Sequence, residues 1–194
     1  MKSISGGIRR YLASGCRTLA STKTALIGLS VATILAGSAQ AEVKSLTSNG
    51  FEVLETLMIE APVERVYAAL GEIGRWWSPS HTFSRDSANL SIELRAGGCF
   101  CERLKDGGSV QHLIVVYAAP GQGLRLRGAL GPLQAEGVDG ALGWSLEGGT
   151  SVTQSYVVGG YLRGGMEQWA PKVDNVLHEQ LDRLKRYVEA KPFN

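Results

Sequence analysis

The side chains of this chain best suited to handle a small molecule are the paired indoles Trp76 and Trp77, His81 four residues further on, His112, and Tyr156. Paired indoles can cap an apolar ligand and fix one polar group through their N–H donors; equally, one can pack into the core and the other lie on the surface. His81 stands in Ser78 to Ala88, a stretch with Pro79 and many hydroxyls that reads as a surface loop. Histidine is the side-chain type suited to acid–base work, so His81 would serve as an acid or base at a cavity entrance or be an exposed loop residue without a task. His112, in Val110-Gln111-His112-Leu113-Ile114, has apolar neighbours on both strand faces, so parity does not place it. Pointing inward, His112 and Tyr156 would polarise a ligand carbonyl; pointing outward, His112 would do nothing chemical. Catalytic roles stay unassigned, with His81, His112 and Tyr156 as candidates. Ligand contacts are expected from Trp76, Trp77, His81, His112, Trp144, Tyr156, Trp169 and Val173.

Other chemistries find little support. His81, His112 and His178 stand at no metal-ligand spacing from one another, so no metal and no cofactor is expected. Cys99 and Cys101 share one face of a strand at a separation near the upper limit for a disulfide, about 6.6 Å at the usual rise, and two reduced, half-buried thiols are expected. The glycine pairs Gly159-Gly160 and Gly164-Gly165 lack the Lys and Ser or Thr of a phosphate loop and read as turns. No nucleophile elbow, His-Glu-x-x-His or paired-carboxylate arrangement is present, which leaves hydrolase readings empty. Glu93, Arg95, Arg125 and Arg127 alternate with leucines and isoleucine, which puts them on a solvated outer sheet face, where single ion pairs contribute little.

These side chains need a frame. Met166 to Val188 has Met166, Trp169, Val173, Val176, Leu177, Leu181, Leu184 and Val188 at spacings of three and four, one apolar stripe of a long helix. Lys172, Asp174, Glu179, Asp182, Lys185 and Arg186 fall on the opposite, watery face. Upstream, Phe51 to Ile59 alternates as a first strand, and Ala61-Pro62 opens a short helix striped by Val63, Val66, Tyr67 and Leu70. Gly71 to Trp77 reads as a second short helix or turn. Six more strands follow, separated by Gly97-Gly98, Gly107-Gly108, Pro120-Gly121, the 131–139 loop and Gly148-Gly149. Short turns between them force antiparallel neighbours. One helix then covers a whole curved sheet, and the space that such a sheet leaves unfilled is where small molecules bind.

At the other end, residues 1–23 carry Lys2, Arg9, Arg10, Arg17 and Lys23 and no acid. An apolar or small run to Gly37 and the triplet Ala39-Gln40-Ala41 complete the layout of a secretory signal peptide over 1–41. The apolar run is short for a bilayer span, so no stable membrane span is expected after cleavage, and the product would be exported, periplasmic or secreted. Glu42 to Gly50 reads as a polar lead-in, and 51–190 as one domain. Without the signal, 15 basic residues face 18 acidic ones, and no basic stripe remains for nucleic acid.

The order strand, two short helices, six strands, long helix is that of the helix-grip fold, an α+β arrangement with a seven-stranded curved antiparallel sheet wrapped around a C-terminal helix. Ala61-Pro62-Val63-Glu64-Arg65-Val66-Tyr67 resembles the opening of the SRPBCC, or START-like, superfamily. Trp76-Trp77-Ser78-Pro79 followed by Leu94-Arg95-Ala96-Gly97-Gly98 is similar to its branch of polyketide cyclases and heat-shock ATPase activator-like proteins. The resemblance spans Phe51 to Glu189 and implies an apolar cavity between sheet and terminal helix, with Trp76 and Trp77 near its mouth. It implies a binding protein for a small hydrophobic molecule, lipid-, sterol- or polyketide-like. A cyclase or aldol-type enzyme using a cavity histidine or tyrosine is the alternative. An activator-like co-chaperone is a further alternative, which export would oppose because ATP is absent outside the cytoplasm. No protein partner can be named from the sequence.

Overall fold

Alternation in the strands and a stripe on the last helix give every element one apolar face, and those faces meet in a single layer pair. A computed structural model of the chain describes residues 42–148 and 151–190; the segment read as a signal peptide lies outside the described residues. Eight strands are found there: β1 (Glu42–Thr47), β2 (Gly50–Met58), β3 (Leu90–Ile92), β4 (Cys99–Arg103), β5 (Ser109–Ala119), β6 (Gly123–Arg127), β7 (Gly137–Glu147) and β8 (Ser151–Tyr161). They form one open antiparallel sheet in the order β1-β2-β8-β7-β6-β5-β4-β3. Helix α1 (Val63–Gly71) begins just after Pro62, and α2 (Met166–Glu189) closes the domain. Between α1 and β3 the chain runs through short 3-10 turns at Ile73–Arg75, Pro79–His81 and Ser87–Asn89.

The count of eight corrects the expected seven. The stretch Glu42 to Gly50, read as a polar lead-in, supplies edge strand β1, which pairs with β2 through a tight hairpin at Ser48-Asn49. Its side chains are largely exposed, so it carries no burial alternation to betray it. A second correction concerns Gly159-Gly160, which lie inside β8 instead of breaking the chain: Gly159 pairs with Gly50 and Asp139, Gly160 with Val138. Gly160 has φ 128°, and a Cβ there would come within 2.3 Å of the Gly137 carbonyl oxygen, so close backbone approach demands glycine.

The core lies between the concave sheet face and α2. Met166, Ala170, Leu177, Leu181, Leu184 and Val188 of the helix stripe are fully buried, whereas Trp169, Val173 and Val176 of the same stripe are only half-buried. Asp174, expected on the watery face, is buried instead. So is Gln180, whose Oε1 accepts from the Ser78 amide at 2.7 Å and whose Nε2 donates to the Val176 carbonyl at 3.2 Å. Arg183 Nε donates to the Trp76 carbonyl at 2.7 Å. Together with Gln180 it fastens the segment after α1 to the helix.

The cysteines also depart from expectation: Cys99 and Cys101 are joined by a disulfide, not left as two thiols. Their Cα atoms are 5.3 Å apart, closer than in a straight strand, at a point where the ladder between β4 and β5 slips. Phe100 pairs with Leu113 and Cys101 with Gln111, which leaves His112 as the extra residue of a bulge. The bulge turns both His112 and Leu113 inward, and alternation cannot describe two consecutive buried residues.

Candidate functional site

Beside the half-buried Trp169, Val173 and Val176 of the stripe, a cavity of about 420 Å³ opens. That lies within the range of small-molecule sites, roughly 300–1,000 Å³. Trp169, Val173, Val176 and Leu177 of α2 form one wall, and Phe100, His112 and Tyr156 of the sheet form the other. Trp77, His81 and Phe83 from the 77–83 segment and Leu130 to Leu133 from the loop after β6 line its sides. Lys172 stands at the rim, its Nζ 5.5 Å from the Trp169 ring centroid. Of the expected contacts, Trp77, His81, His112, Tyr156, Trp169 and Val173 are therefore brought together. Trp76 and Trp144 are not among the lining residues. The Trp76 indole donates to the Ala69 carbonyl at 2.7 Å inside the packing with α1, and Trp144 donates to Gln154 Oε1 at 2.9 Å in the core.

One feature of this wall is absent from the sequence reading. Glu102 of β4 is completely buried and accepts three hydrogen bonds: from the amides of Phe83 (3.1 Å) and Ser84 (2.5 Å), and from His112 Nε2 at 2.9 Å. Burial alone would push its carboxyl up, but the donors at Ser84, Phe83 and His112 outweigh it and hold the group below the usual carboxylate range. Burial pushes the His112 imidazole down, against the upward pull of Glu102. The pair is thus an ionised carboxylate beside a neutral imidazole at neutral pH. An ionised carboxylate only accepts, so the imidazole proton sits on Nε2 and Nδ1 is left as a bare acceptor. Nδ1 is buried and has no hydrogen-bond partner. Phe83 stacks on the ring at 5.9 Å and Phe100 lies 5.0 Å from it, fixing its plane. The signal that could have found Glu102 was parity: Phe100 and Glu102 are two apart on one strand, and an inward Phe100 implies an inward Glu102.

The remaining polar groups of the wall are engaged with the protein itself. The Tyr156 hydroxyl accepts from the Leu130 amide at 2.9 Å and donates to the Gly128 carbonyl at 3.2 Å; burial pushes its pKa up to about 12. It braces the loop after β6, and its proton is already engaged on the Gly128 carbonyl. Trp77 Nε1 donates to the His81 carbonyl, Trp169 Nε1 to the Arg163 carbonyl, and Thr82 Oγ1 to the Pro79 carbonyl. His81 Nε2 meets Glu179 Oε2 of α2 at 3.0 Å, which ties the mouth segment to the helix. The third histidine stands outside the cavity. His178 Nδ1 lies 2.7 Å from Oε1 of the buried Glu55 on β2; that hydrogen bond raises the imidazole, while burial raises the Glu55 carboxyl. No group of three or more candidate metal ligands occurs among the described residues.

An eight-stranded antiparallel open sheet with a C-terminal helix is an α+β architecture compatible with the helix-grip fold. No family profile matches the sequence, and no curated protein matches it either. Among solved structures, the chain is similar to an uncharacterised protein from Rhizobium leguminosarum, with TM-score 0.56 and 16% identity over 76% of this chain and 99% of that one. It is also similar to CalU16 from Micromonospora echinospora (TM-score 0.50, 16% identity, 80% of this chain and 87% of that one). A third likeness is to StfQ, the di-domain ARO/CYC protein of the steffimycin biosynthetic pathway (TM-score 0.50, 13% identity, 74% of this chain and 52% of that one). At these identities the likeness concerns the fold alone.

Proposed function

We propose that this protein binds a small hydrophobic molecule, lipid-, sterol- or polyketide-like, in the cavity between the sheet and α2. The observation that carries the reading is the gap itself: Trp169, Val173 and Val176 belong to the core stripe yet stay half-buried, because they face about 420 Å³ of unfilled apolar space. Apolar ligand surface entering that space contributes about 25 cal/mol per Å² toward binding. The basic n-region, apolar run and Ala39-Gln40-Ala41 triplet support export of the binder. Native mass spectrometry of protein purified from its own compartment tests both points. A co-purifying apolar adduct on a chain beginning at Glu42 is the expected result, and a full-length chain confined to the cytoplasm would sink the export reading.

A second reading is favoured by the Glu102–His112 pair. A buried carboxylate that fixes an imidazole's tautomer is the arrangement a general base needs, and in a cavity enzyme of cyclase type it would take a proton from a carbon activated by a neighbouring carbonyl. The fold likeness to StfQ, a di-domain ARO/CYC protein, is in keeping with it. Turnover of a polyketone by the purified protein, abolished by His112→Ala, would establish this enzyme; binding without turnover would leave the carrier role.

A further inference from the structure

The wall of the cavity distributes its polar groups in an instructive way. Every side-chain N–H and O–H donor that Trp77, Thr82, Tyr156 and Trp169 bring to it is already turned onto a protein carbonyl. No carboxylate is among the lining residues. Ser80 Oγ lies 2.8 Å from Ser78 Oγ, and His81 Nε2 lies 3.0 Å from Glu179 Oε2. Two further polar functions are better placed for a guest. One is the His112 Nδ1 acceptor, buried, partnerless and denied its own proton because Glu102 holds the tautomer with hydrogen on Nε2. The other is the Lys172 ammonium at the rim, which no carboxylate neutralises by an ion pair among the described residues. A buried acceptor without a donor costs roughly as much as a lost hydrogen bond, and a guest that supplies the donor removes that cost.

We propose that the ligand is an apolar hydroxy acid: its hydroxyl donates to His112 Nδ1 inside the cavity, and its carboxylate is held at the rim by Lys172. The inference rests on the cavity being the ligand site. It also fixes what the site favours less. A ligand offering only a carbonyl meets no free side-chain donor from Trp77, Thr82, Tyr156 or Trp169 and leaves His112 Nδ1 unpaired. A cationic amphiphile meets Lys172 with like charge. Aromatic walls at Trp77, Phe83, Phe100 and Trp169 suit a flat apolar body between the two polar ends.

Three rigid probes of one skeleton separate the terms: a hydroxynaphthoate, the naphthoate lacking the hydroxyl, and the naphthol lacking the carboxylate. Binding of each to the full chain is followed by quenching of tryptophan fluorescence and by calorimetry. The hydroxynaphthoate is expected to bind about 5- to 10-fold tighter than the naphthoate, the size of one net neutral hydrogen bond. It is expected to bind about 2- to 5-fold tighter than the naphthol, and only this second advantage should fade in high salt or in Lys172→Gln. In His112→Phe, which keeps a ring in place, the hydroxyl should confer no advantage. The ligand-side comparison needs no variant, so a His112→Phe protein that failed to fold would leave the test intact. Equal binding of all three probes would overturn the inference and leave the cavity reading standing. No binding by any of them, or by a nonpolar dye, would overturn both.

Discussion

Glu102→Gln is the substitution most informative about how the site is built, because the carboxylate joins the mouth segment and the cavity wall at one atom pair. Oε1 and Oε2 hold the Ser84 and Phe83 amides and His112 Nε2, and the group is wholly buried. The amide side chain has nearly the same shape but only one accepting atom, and its NH₂ faces existing donors. Three consequences follow in sequence. The half-exposed 83–84 backbone can turn to water at small cost. The buried imidazole N–H loses a charge-assisted acceptor, a loss of about 1.5–3 kcal/mol. The tautomer preference disappears, so Nδ1 is no longer reserved as an acceptor. The expected destabilisation is about 2–4 kcal/mol, read from urea unfolding at neutral pH, with a smaller loss when His112→Phe has already removed the imidazole. The cycle formed by Glu102→Gln, His112→Phe and the double variant should therefore show a coupling of about 1.5–3 kcal/mol. A coupling below about 0.5 kcal/mol would mean that the two side chains do not depend on one another, and the tautomer argument would be refuted.

Other outcomes can be stated together. Gly140→Ala should cost about 1–3 kcal/mol in denaturant unfolding, because a Cβ there would stand 2.6 Å from Tyr156 Cε2 and push the ring that braces Leu130. Since the folded pKa of His112 is lowered from 6.5, its contribution to stability is complete above pH 6.5 and is lost as pH falls below that value; the Glu102 contribution, lowered from 4.5, is lost at still lower pH. His178 behaves oppositely: its pKa is raised from 6.5, so its contribution is complete below pH 6.5 and is lost as pH rises through the folded value. Thermal unfolding from acid to mild alkali should accordingly show a low-pH fall that His112→Phe blunts and a fall above pH 6.5 that His178→Gln removes. A profile indifferent to both variants would contradict these assignments.

The strongly patterned elements were legible from the residues alone. The α2 stripe, the short helix after Pro62 and the alternating strands from Leu90 onward follow directly from spacing. What escaped did so for identifiable reasons. Edge strand β1 sets only Val43 against the core and is exposed from Lys44 to Thr47, so its pattern is weak, although Asn49-Gly50 carried a hairpin signal. The Gly159-Gly160 pair looks like a turn in one dimension and is a close approach between strands in three. Asp174 shares a helix side with exposed neighbours, and its burial depends on the sheet beside it. His112 defeated parity since it is itself the bulged residue, and Glu102 was hidden by the habit of placing charges outside. The indoles divided as their neighbours dictated: Trp77 and Trp169 reach the cavity, while Trp76 and Trp144 are held by Ala69 and Gln154. Packing, not residue type, decides among tryptophans.

The central claim is an empty apolar space that takes a guest, and filling it tests the claim most directly. Val176→Trp places an indole into the cavity from the middle of α2. Titration of an environment-sensitive apolar dye into the wild-type chain and this variant is the decisive measurement. The account predicts saturable enhancement with the wild type and at least a 10-fold weaker response from a variant that keeps its fold. Equal dye binding by both proteins, or none by the wild type, would contradict it.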